Sequence, residues 1–449
     1  MTAQLAVEDP ATGEVIARIA RTGAAELAAK VDAAAAAFPG WARRSVADRA
    51  DVLRACGSRI ERHHAELSAL LTREQGKPLR QAEGEVALAA EWFARTAQLG
   101  LAPESLGAGV VLERLPHGVV AAIAPANYPI ILSVTKIAPA LLAGNTVLVK
   151  PSPLTPLSSL RMGELLAEVL PPDVLTVVTG GGELGAALTG HPDVRMVSFT
   201  GSVPTGRAIA ARAAAGFKHV VLELGGNDAA VVLAGADIEH VAGELFRAAM
   251  VNSGQFCAAV KRVYVPEPHR AELVEALAEL ARKTVVGPGS DAATDLGPLV
   301  SATQRHHVVD LVDAARAAGG RMVTGGRRPT GSGYFYPPTI VTDLPPDTRL
   351  ETQEQFGPVI PVLGYDTVAE AVDRANSTEF GLGGSVWGEP HEAAAVAARL
   401  DCGTAWINAH GDLRHDVPFG GTRNSGVGVE YGYWGLLEYT RIRVTNAHG

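Results

Sequence analysis

The sequence contains few cysteines and no long apolar run, and each shortage excludes a class of protein. Its three cysteines, Cys56, Cys257 and Cys402, are too few and too scattered for a disulfide framework or a cysteine-rich zinc site. We therefore expect a cytoplasmic protein in which one free thiol is used chemically. No apolar run reaches the ~18 residues of a membrane helix, and no basic-then-apolar leader opens the chain, so we expect neither a membrane span nor a signal peptide.

Positive charge is also in short supply. The 449 residues carry a formal net charge of −9, and charges of both signs are interspersed. A basic face for nucleic acid is therefore not expected. The length predicts two or three domains, because a domain commonly has ~100–200 residues.

The hydrophobic pattern predicts an α/β fold. Helical spacing dominates the first hundred residues after a short opening, and a glycine-rich stretch at 101–117 predicts short strands. Two series of apolar strands alternating with helices then follow, which indicates parallel sheets covered by helices. The predicted strands are 118–124, 146–150, 175–179, 196–200 and 219–224 in the first series, 231–233, 262–265, 322–324, 359–363 and 404–408 in the second, and an edge strand at 438–445.

Cys257 is a candidate nucleophile. It follows Ser253, Gly254 and Phe256 in a small-residue segment between a predicted helix and a predicted strand. Such a loop lets a carbonyl group approach, provided that neighbouring charges or dipoles lower the thiol pKa from its ordinary ~8.5. A lone cysteine is more often an inert buried residue, so the segment alone leaves both interpretations open.

Two further segments carry groups that suit such a nucleophile. Glu223 ends an apolar strand before two glycines, where desolvation would raise its pKa and make it a general base. A strand-end glutamate that reaches solvent or a salt bridge is the alternative. Asn127 lies in a stiff loop between Pro125 and Pro129, where its amide can face an oxyanion or simply form a turn.

Glycine-rich strand–helix junctions predict a nucleotide site. Residues 180–185 match the G-x-G-x-x-G pattern, which is weak by itself. Gly201 and Ser202 join a strand to a helix, whose N-terminus suits a pyrophosphate. Lys150 ends another strand, where it either binds a ribose or phosphate or is a solvated strand-end lysine.

Taken together, these segments resemble the aldehyde dehydrogenase superfamily over nearly the whole chain. The likeness is greatest to bacterial members that carry Lys-Pro-Ser-Pro, here Lys150–Pro153, and Glu-Leu-Gly-Gly-Asn-Asp, here Glu223–Asp228. The resemblance implies a Rossmann-like coenzyme domain, a second α/β catalytic domain and a small β extension for oligomerisation. It also implies oxidation of an aldehyde to a carboxylic acid with NAD or NADP, through a thiohemiacetal and a thioester on Cys257.

The resemblance also implies roles for individual residues, and it implies no metal. The catalytic residues are Cys257, Glu223 and Asn127. The coenzyme-binding residues are Lys150, Ser152, Gly182, Gly201, Ser202, Glu354 and Phe356. The substrate pocket comprises Tyr128, Leu132, Thr135, Phe256, His410, Leu413 and Phe419, which are mostly apolar and favour a medium or bulky aldehyde without strong charge. Lys136 and Glu430 match a proton path.

The sequence departs from the family pattern at two informative positions. Pro153 stands where NAD-preferring members carry an acidic residue, so the choice between NAD and NADP stays open. Thr135 stands where a tryptophan is often found, which predicts a wider substrate tunnel.

The resemblance further implies domain boundaries and partners. The coenzyme domain would comprise 1–100 and 118–225, the catalytic domain 226–417, and the extension with the C-terminal segment 101–117 and 418–449. In the family this extension pairs subunits edge to edge, so we expect a homodimer or homotetramer.

Three alternatives remain at this point. A coenzyme-A-acylating member of the superfamily usually lacks the carboxylate at the position of Glu223. A cofactor-independent cysteine hydrolase would have no use for Lys150, Ser202 or Glu354. A non-catalytic binder would have no need for intact Cys257. The histidine pairs 63–64 and 306–307 are expected on solvated helix faces.

Overall fold

The structure is a computed structural model that describes residues 4–447. The strands are β1 Gln4–Asp9, β2 Glu14–Ala20, β3 Glu104–Gly107, β4 Val110–Pro116, β5 Val119–Ile123, β6 Thr146–Lys150, β7 Leu175–Val177, β8 Val194–Thr200, β9 His219–Glu223, β10 Ala229–Val232, β11 Arg262–Pro266, β12 Arg321–Thr324, β13 Thr339–Thr342, β14 Val359–Tyr365, β15 Gly383–Trp387, β16 Thr404–Ile407, β17 Gly426–Val427 and β18 Thr440–Asn446. The helices are α1 Ala24–Ala42, α2 Val46–Arg62, α3 His64–Gln75, α4 Leu79–Thr96, α5 Ile131–Ala143, α6 Leu157–Ala167, α7 Gly182–Gly190, α8 Val203–Ala214, α9 Ile238–Met250, α10 Glu267–Lys283, α11 Ala302–Ala317, α12 Arg349–Thr352, α13 Val368–Asn376, α14 Pro390–Ala397 and α15 Gly432–Glu438.

The first sheet has the strand order β17-β9-β8-β5-β6-β7. Every pair in it is parallel except β17 with β9. Its strands form the five predicted elements of the first series, and helices pack on both faces in two separate apolar clusters. The predicted α/β class and the Rossmann-like character of this half are therefore confirmed.

The second sheet has the order β12-β13-β14-β11-β10-β15-β16, in which only β12 runs antiparallel to its neighbour. Two of its strands, β13 and β15, were missed by the hydrophobic pattern. Strand β15 begins with two glycines, which suggest a turn in a sequence. Gly383 is needed there because an added Cβ would lie 2.4 Å from Asp228 Oδ2.

The short opening that precedes the predicted helices is an antiparallel hairpin of β1 and β2, and α1 follows it. Its turn is closed by Asp9, whose carbonyl accepts the Gly13 N–H at 2.7 Å and whose side chain accepts the Ala11 N–H at 2.8 Å. Gly13 has a φ of +78°, which glycine adopts without strain. The Asp-Pro-x-x-Gly signal of a turn was present in the sequence but was not used.

Helix α5 was also missed, although it leads directly out of the Asn127 loop. All of its residues except Leu132 are buried. A helix that is buried on every side has no polar face, so its sequence does not alternate between polar and apolar residues with the helical period. The sequence of α5 therefore carries no sign of a helix.

The small extension is the sheet β18-β4-β3, with β18 as an unpaired edge. This agrees with the strand predicted at 438–445. Residues 426–427, however, belong to the first sheet through β17, so the segment 418–449 is divided between the extension and the coenzyme half. No helix within residues 4–447 is long and apolar enough to cross a membrane.

Candidate active site

A cavity of about 560 Å³ lies where loops of the two sheets meet. One wall consists of the loops after β5, β8 and β9, at the carboxyl ends of parallel strands, where such sheets bind ligands. The other wall consists of segments after α9 and before β14, together with the first turn of α11. The predicted site residues that line the cavity are Asn127, Gly201, Ser202, Cys257, Glu354 and Phe356.

Cys257 is held at the cavity by a tight turn that follows α9. Asn252, Ser253 and Gly254 have φ values of +50°, +56° and +73°, an unfavourable run for the two residues that carry side chains. The turn is pinned by the Ser253 hydroxyl, which donates to Gly297 O at 2.7 Å. An added Cβ at Gly254 would lie 2.2 Å from Gly357 O, so only glycine fits at this position.

The protein surrounding Cys257 keeps its thiol protonated. Burial raises the pKa of the thiol well above its ordinary value, and Glu354 and Glu223 raise it further, while Lys261 lowers it. In the protein by itself, the neighbouring residues therefore do not supply the lowering of the thiol pKa that a free thiolate requires. A nucleophilic role requires a group that removes the proton when the aldehyde arrives.

Asn127 lines the cavity with its side chain 4% exposed. Its Nδ2 donates to Gln255 O at 3.0 Å, which uses one of the two amide N–H groups. Its backbone carbonyl oxygen accepts hydrogen bonds from Lys77 Nζ at 2.8 Å and from Asn252 Nδ2 at 3.0 Å. The loop is thus fixed through its backbone, and one side-chain N–H remains for a ligand.

Glu223 lies behind the cavity wall. It is the last residue of β9, and its Oε1 accepts no hydrogen bond within the described part of the chain. Burial raises its pKa well above the ordinary value, Glu430 raises it further, and Lys136 lowers it. A buried carboxyl group of this kind, whose charge reaches the Cys257 thiol, has the properties of a general base.

Lys136 and Glu430, predicted as a proton path, are brought together as a fully buried ion pair. Lys136 Nζ also donates to Thr200 Oγ1 at 2.7 Å. Ser198 Oγ donates to Glu430 Oε1 at 3.4 Å and accepts from Tyr439 Oη at 3.0 Å. The structure therefore places a polar network beside Glu223, whereas its role in proton transfer stays a prediction.

The coenzyme candidates are spread along one edge of the first sheet. Lys150 is buried at the end of β6, where burial lowers its pKa to about 8, and its Nζ donates to Pro151 O at 3.2 Å. Its aliphatic stem lies under α7, because an added Cβ at Gly185 would be 3.6 Å from Lys150 Cδ. Gly182 begins α7, and Ser152 accepts the Leu154 N–H at 3.2 Å. Lys150, Ser152 and Gly182 lie outside the lining of the main cavity.

Ser202 occupies the N-cap position of α8 and is exposed, with its Oγ donating to Thr205 Oγ1 at 3.0 Å. Gly201 precedes it, and an added Cβ there would lie 2.4 Å from the Phe199 ring. The junction therefore presents the free N–H groups of a helix start to the cavity, as a pyrophosphate site requires.

Glu354 and Phe356 lie on the opposite wall. Burial raises the pKa of Glu354 to about 7, although Lys261 and the Gly226 N–H counteract this. The Gly226 N–H donates to Glu354 Oε1 at 3.3 Å. An added Cβ at Gly225 would lie 2.5 Å from the other carboxylate oxygen, so the glycine pair after Glu223 makes room for this side chain.

The first turn of α11 was missed as part of the site. His307, expected on a solvated face, lines the cavity, and its Nε2 lies 2.9 Å from Glu354 O. Gln304 Nε2 donates to Gln355 O at 3.1 Å and to Phe356 O at 3.0 Å. The Ser301-x-x-Gln304 pattern of a helix start could have located this turn, but not the contacts that it makes.

The predicted substrate residues form an aromatic group next to Cys257. Tyr128 meets Phe256 edge-on at 5.6 Å, and Phe419 stacks on Tyr431 at 5.8 Å. Phe256, Leu413 and Phe419 pack in one cluster with Cys257. Tyr431 was not predicted.

Leu132 and Thr135 belong to α5, and neither lines the main cavity. Leu132 packs with Tyr128 against the core of the first sheet. Thr135 lies with Trp92, Glu430 and Tyr431 around a second, much smaller cavity, which is separate from the one that Cys257 lines.

His410 does not fit its predicted role in the substrate pocket. Its side chain is fully buried, with Nδ1 2.9 Å from Ser385 Oγ and Nε2 3.7 Å from Asp228 Oδ2. Burial lowers its pKa to about 3, so it is neutral. Its ring packs against Trp406. The imidazole is therefore part of the packing around the site and does not face an aldehyde.

One set of potential metal ligands occurs within residues 4–447. Asp32, His191 and Asp193 have ligand atoms within 4.8 Å of one another. None of the three lines the cavity, and surface carboxylates often cluster in this way without an ion.

Comparison with known proteins agrees with this geometry. The model of the aldehyde dehydrogenase family matches residues 1–445. A betaine aldehyde dehydrogenase of Cereibacter sphaeroides is 39% identical over 447 residues, covering 97% of this chain and 92% of the relative. The lactaldehyde dehydrogenase of Escherichia coli superposes with a TM-score of 0.96 at 35% identity, covering 99% of this chain and 96% of that one.

A third relative bears on the coenzyme. The NAD+ complex of an aldehyde dehydrogenase from Bacillus cereus superposes with a TM-score of 0.96 at 34% identity, covering 99% of this chain and 93% of that one. The fold class, the enzyme class and the nicotinamide coenzyme predicted from the motifs are thereby confirmed. The chain belongs to the aldehyde dehydrogenase family, whose members oxidise aldehydes with NAD or NADP.

Proposed function

We propose that this enzyme oxidises an aldehyde to a carboxylic acid through a thioester on Cys257, with Asn127 and Glu223 as its catalytic partners. The observation that carries the proposal is the shared cavity: Cys257 and Asn127 line the same space as Glu354 and Phe356. A nucleophile, an oxyanion donor and the groups that would hold a coenzyme thus meet around one volume.

The residues present fit a dinucleotide. The exposed start of α8 at Ser202 offers backbone N–H groups to a pyrophosphate. Among the described residues, Lys150 Nζ donates only to Pro151 O, so its other ammonium N–H groups are available to a ribose. Glu354 offers a carboxylate to ribose hydroxyls. When bound there, the coenzyme supplies the acceptor for a hydride.

In the first step, the Cys257 sulfur forms a bond to the aldehyde carbon as its proton leaves. Glu223 is the buried base whose charge acts on this thiol, and it takes the proton directly or through a water molecule. Asn127 Nδ2 and the Cys257 backbone N–H stabilise the oxyanion. One such donor commonly contributes about 10²–10³ in rate.

Loss of the hydride from the former aldehyde carbon converts the thiohemiacetal into a thioester. Glu223 releases the proton from the first step to solvent and then removes a proton from water. The resulting hydroxide adds to the acyl carbon, the C–S bond breaks, and the departing sulfur takes the proton back from Glu223. Carboxylic acid and the Cys257 thiol are the products. The presence of Glu223 favours water over coenzyme A as the acyl acceptor, and the Lys150, Ser202 and Glu354 set favours an oxidoreductase over a simple hydrolase or a binder.

The substrate we propose is a medium or bulky aldehyde without strong charge. The aromatic group beside Cys257 contains Tyr128, Phe256 and Phe419, whose apolar rings favour an uncharged substrate group. Named relatives act on betaine aldehyde and on lactaldehyde, which differ in charge and size. Family membership therefore does not decide the substrate, and both compounds belong in the test.

We also propose that the chain assembles as a homodimer or homotetramer through β18. Ile442 and Val444 on this edge strand are each 54% exposed. An unpaired edge with apolar side chains is a site for pairing with another strand. Because the reaction needs Cys257 as a free thiol, a reducing compartment such as the cytoplasm suits it.

The test is formation of reduced coenzyme, followed by its near-ultraviolet absorbance, with aliphatic, aromatic, betaine and lactic aldehydes and with NAD or NADP in parallel. We expect turnover with at least one uncharged aldehyde and none in Cys257→Ala. Activity that survives in Cys257→Ala would contradict the thioester, and coenzyme-A-dependent product would favour the acylating alternative.

A further inference from the structure

A buried ion pair outside the cavity supports the Asn127 loop. Lys77 follows the left-handed Gly76 at the end of α3, and Glu85 lies two turns into α4. Their side chains are 0% and 1% exposed, and Lys77 Nζ lies 2.5 Å from Glu85 Oε2. Neither residue lines the cavity, and the mechanism above uses neither.

The Lys77 ammonium group binds the Asn127 loop directly. Besides Glu85, its ammonium group donates to Asn127 O at 2.8 Å and lies 3.7 Å from the centre of the Tyr128 ring. Two of the three ammonium N–H groups are thus used in hydrogen bonds, and the charge also lies against the Tyr128 ring. The cation therefore binds the peptide of the oxyanion donor and the aromatic ring next to it at the same time.

Glu85 holds the other end of the same loop. Its Oε1 accepts the Ile130 N–H at 2.9 Å and the Ile131 N–H at 3.2 Å. These N–H groups open α5, which has no side-chain cap of its own. A carboxylate from α4 thus takes the place of an N-cap, where negative charge is favoured.

The same stretch of chain also reaches the turn that carries Cys257. Gln81 lies one helical turn before Glu85, and its Oε1 accepts the Asn252 N–H at 3.1 Å. Asn252, one of the left-handed residues of that turn, donates to Asn127 O at 3.0 Å. The carbonyl oxygen of Asn127 is therefore the point at which Lys77 and the Cys257 turn meet.

We infer that Lys77 and Glu85 are positioning residues that set the Asn127 amide relative to the Cys257 sulfur. Stability alone does not account for the pair, because the cost of desolvating two charges commonly cancels their attraction, and apolar residues of the same volume do as well. The hydrogen bonds to Asn127, Ile130 and Ile131 are what an apolar replacement would lose. This inference rests on the proposed function, in which Asn127 stabilises the oxyanion.

The test compares Lys77→Met with the wild type, in the presence and absence of Asn127→Ala. We expect Lys77→Met to lower kcat/KM for the aldehyde by about 10²-fold, as displacement of a catalytic group by about 1 Å does. Coenzyme affinity should stay unchanged. In the Asn127→Ala background, the same substitution should cost less than about threefold, because the amide that it positions is already gone.

Two further variants separate positioning from folding. Lys77→Met/Glu85→Gln leaves no unpaired buried charge and keeps an oxygen for Ile130 and Ile131, so it replaces Lys77→Met if that variant does not fold. Arg49→Met is the matched control. It removes a buried cation whose Nε donates to Leu142 O at 2.8 Å, at the opposite end of α5. We expect it to lower the melting temperature and to leave kcat/KM unchanged per folded enzyme, counted by coenzyme binding.

The outcomes are distinguishable. An equal loss from Lys77→Met with and without Asn127 would overturn the inference, as would an unchanged rate in both Lys77 variants. A wild-type enzyme that oxidises no aldehyde would instead refute the proposed function, before any Lys77 variant is measured.

Discussion

Two fully buried lysine–glutamate pairs, Lys77–Glu85 and Lys136–Glu430, lie next to the catalytic groups, and they differ in the groups that surround them. Lys77 and Glu85 are bonded to backbone groups of the Asn127 loop and of α5. Lys136 and Glu430 are bonded instead to hydroxyl groups, and their charges act on the Glu223 carboxyl. The same pair of residue types therefore serves geometry at one place and electrostatics at the other.

The difference shows that the role of a buried ion pair depends more on the groups around it than on which residues form the pair. Where the neighbours are peptide groups, removing the pair should displace the backbone that it holds without shifting the pKa of the Glu223 carboxyl. Where the neighbour is another titratable group, removing one member should shift the pKa of that group. Rate and pH dependence can therefore be measured separately for the two pairs.

The largest effect should come from Glu223 itself. In Glu223→Gln the base is lost, and we expect kcat to fall by about 10²–10⁴, the usual contribution of general base catalysis. Because the attack of Cys257 and the hydrolysis of the thioester both use this base, the first turnover and the steady-state rate should both fall, measured as reduced coenzyme after rapid mixing. Turnover at the wild-type rate would show that Glu430 or water serves as the base.

Lys136→Met should give the next largest effect and a shifted pH profile. Lys136 lowers the raised pKa of Glu223, so its removal raises that pKa further. Since Glu223 acts as a base only when ionised, activity at neutral pH should fall by about 10–100-fold and recover as the pH rises. The pH profile of kcat, with its ascending limb moved to higher pH, is the measurement.

The Lys77 variant is the control for this shift. Lys77→Met breaks the other buried pair and should lower the rate without moving the ascending limb. Both lysine variants leave an unpaired buried carboxylate, which commonly costs about 3–5 kcal/mol in the free energy of unfolding. Equal movement of both pH profiles would remove the distinction between the two pairs.

Glu430→Gln should move the pH profile in the opposite direction. The Glu430 carboxylate raises the pKa of Glu223, whereas Lys136, now unpaired, would continue to lower it. The ascending limb should therefore move to lower pH, and kcat on the alkaline plateau should fall by about threefold to tenfold because a weaker base activates water less well. A shift to higher pH would mean that Glu430 transfers the proton itself.

The sequence predicted much of what surrounds the Lys136–Glu430 pair and almost nothing of the Lys77–Glu85 pair. The strand before the Asn127 loop and the strands that end at Lys150 and Glu223 were predicted, because apolar runs alternate with helices there. Lys136 and Glu430 were proposed through family resemblance and do form a pair. Lys77 and Glu85 were not singled out, because two charged residues in a helical region look like a solvated face.

The remaining errors share a physical cause. Helix α5 has no polar face and β15 opens with glycines, so neither produced its usual pattern. His307 lines the cavity instead of a solvated face, and His410 is buried behind the pocket, because burial depends on contacts with segments distant in the chain. A pattern reports what a segment can form by itself, whereas these positions are decided by what packs against it.

The smallest effect belongs to the outer part of the Lys136 network. Tyr439 Oη donates to Ser198 Oγ, which in turn donates to Glu430 Oε1, so Tyr439 reaches the carboxylate only through another hydroxyl. Tyr439→Phe keeps the ring in the core and removes one buried hydrogen bond, at a cost of about 0.5–1.5 kcal/mol in the free energy of unfolding. Ser198 can still donate to Glu430, so the charge balance at Glu223 is preserved. We expect kcat to change by less than about threefold with no movement of its pH profile, measured beside a denaturant titration of the same variant. A pH shift as large as that of Glu430→Gln would show that the Tyr439 hydroxyl belongs to the electrostatic network and not only to the packing around it.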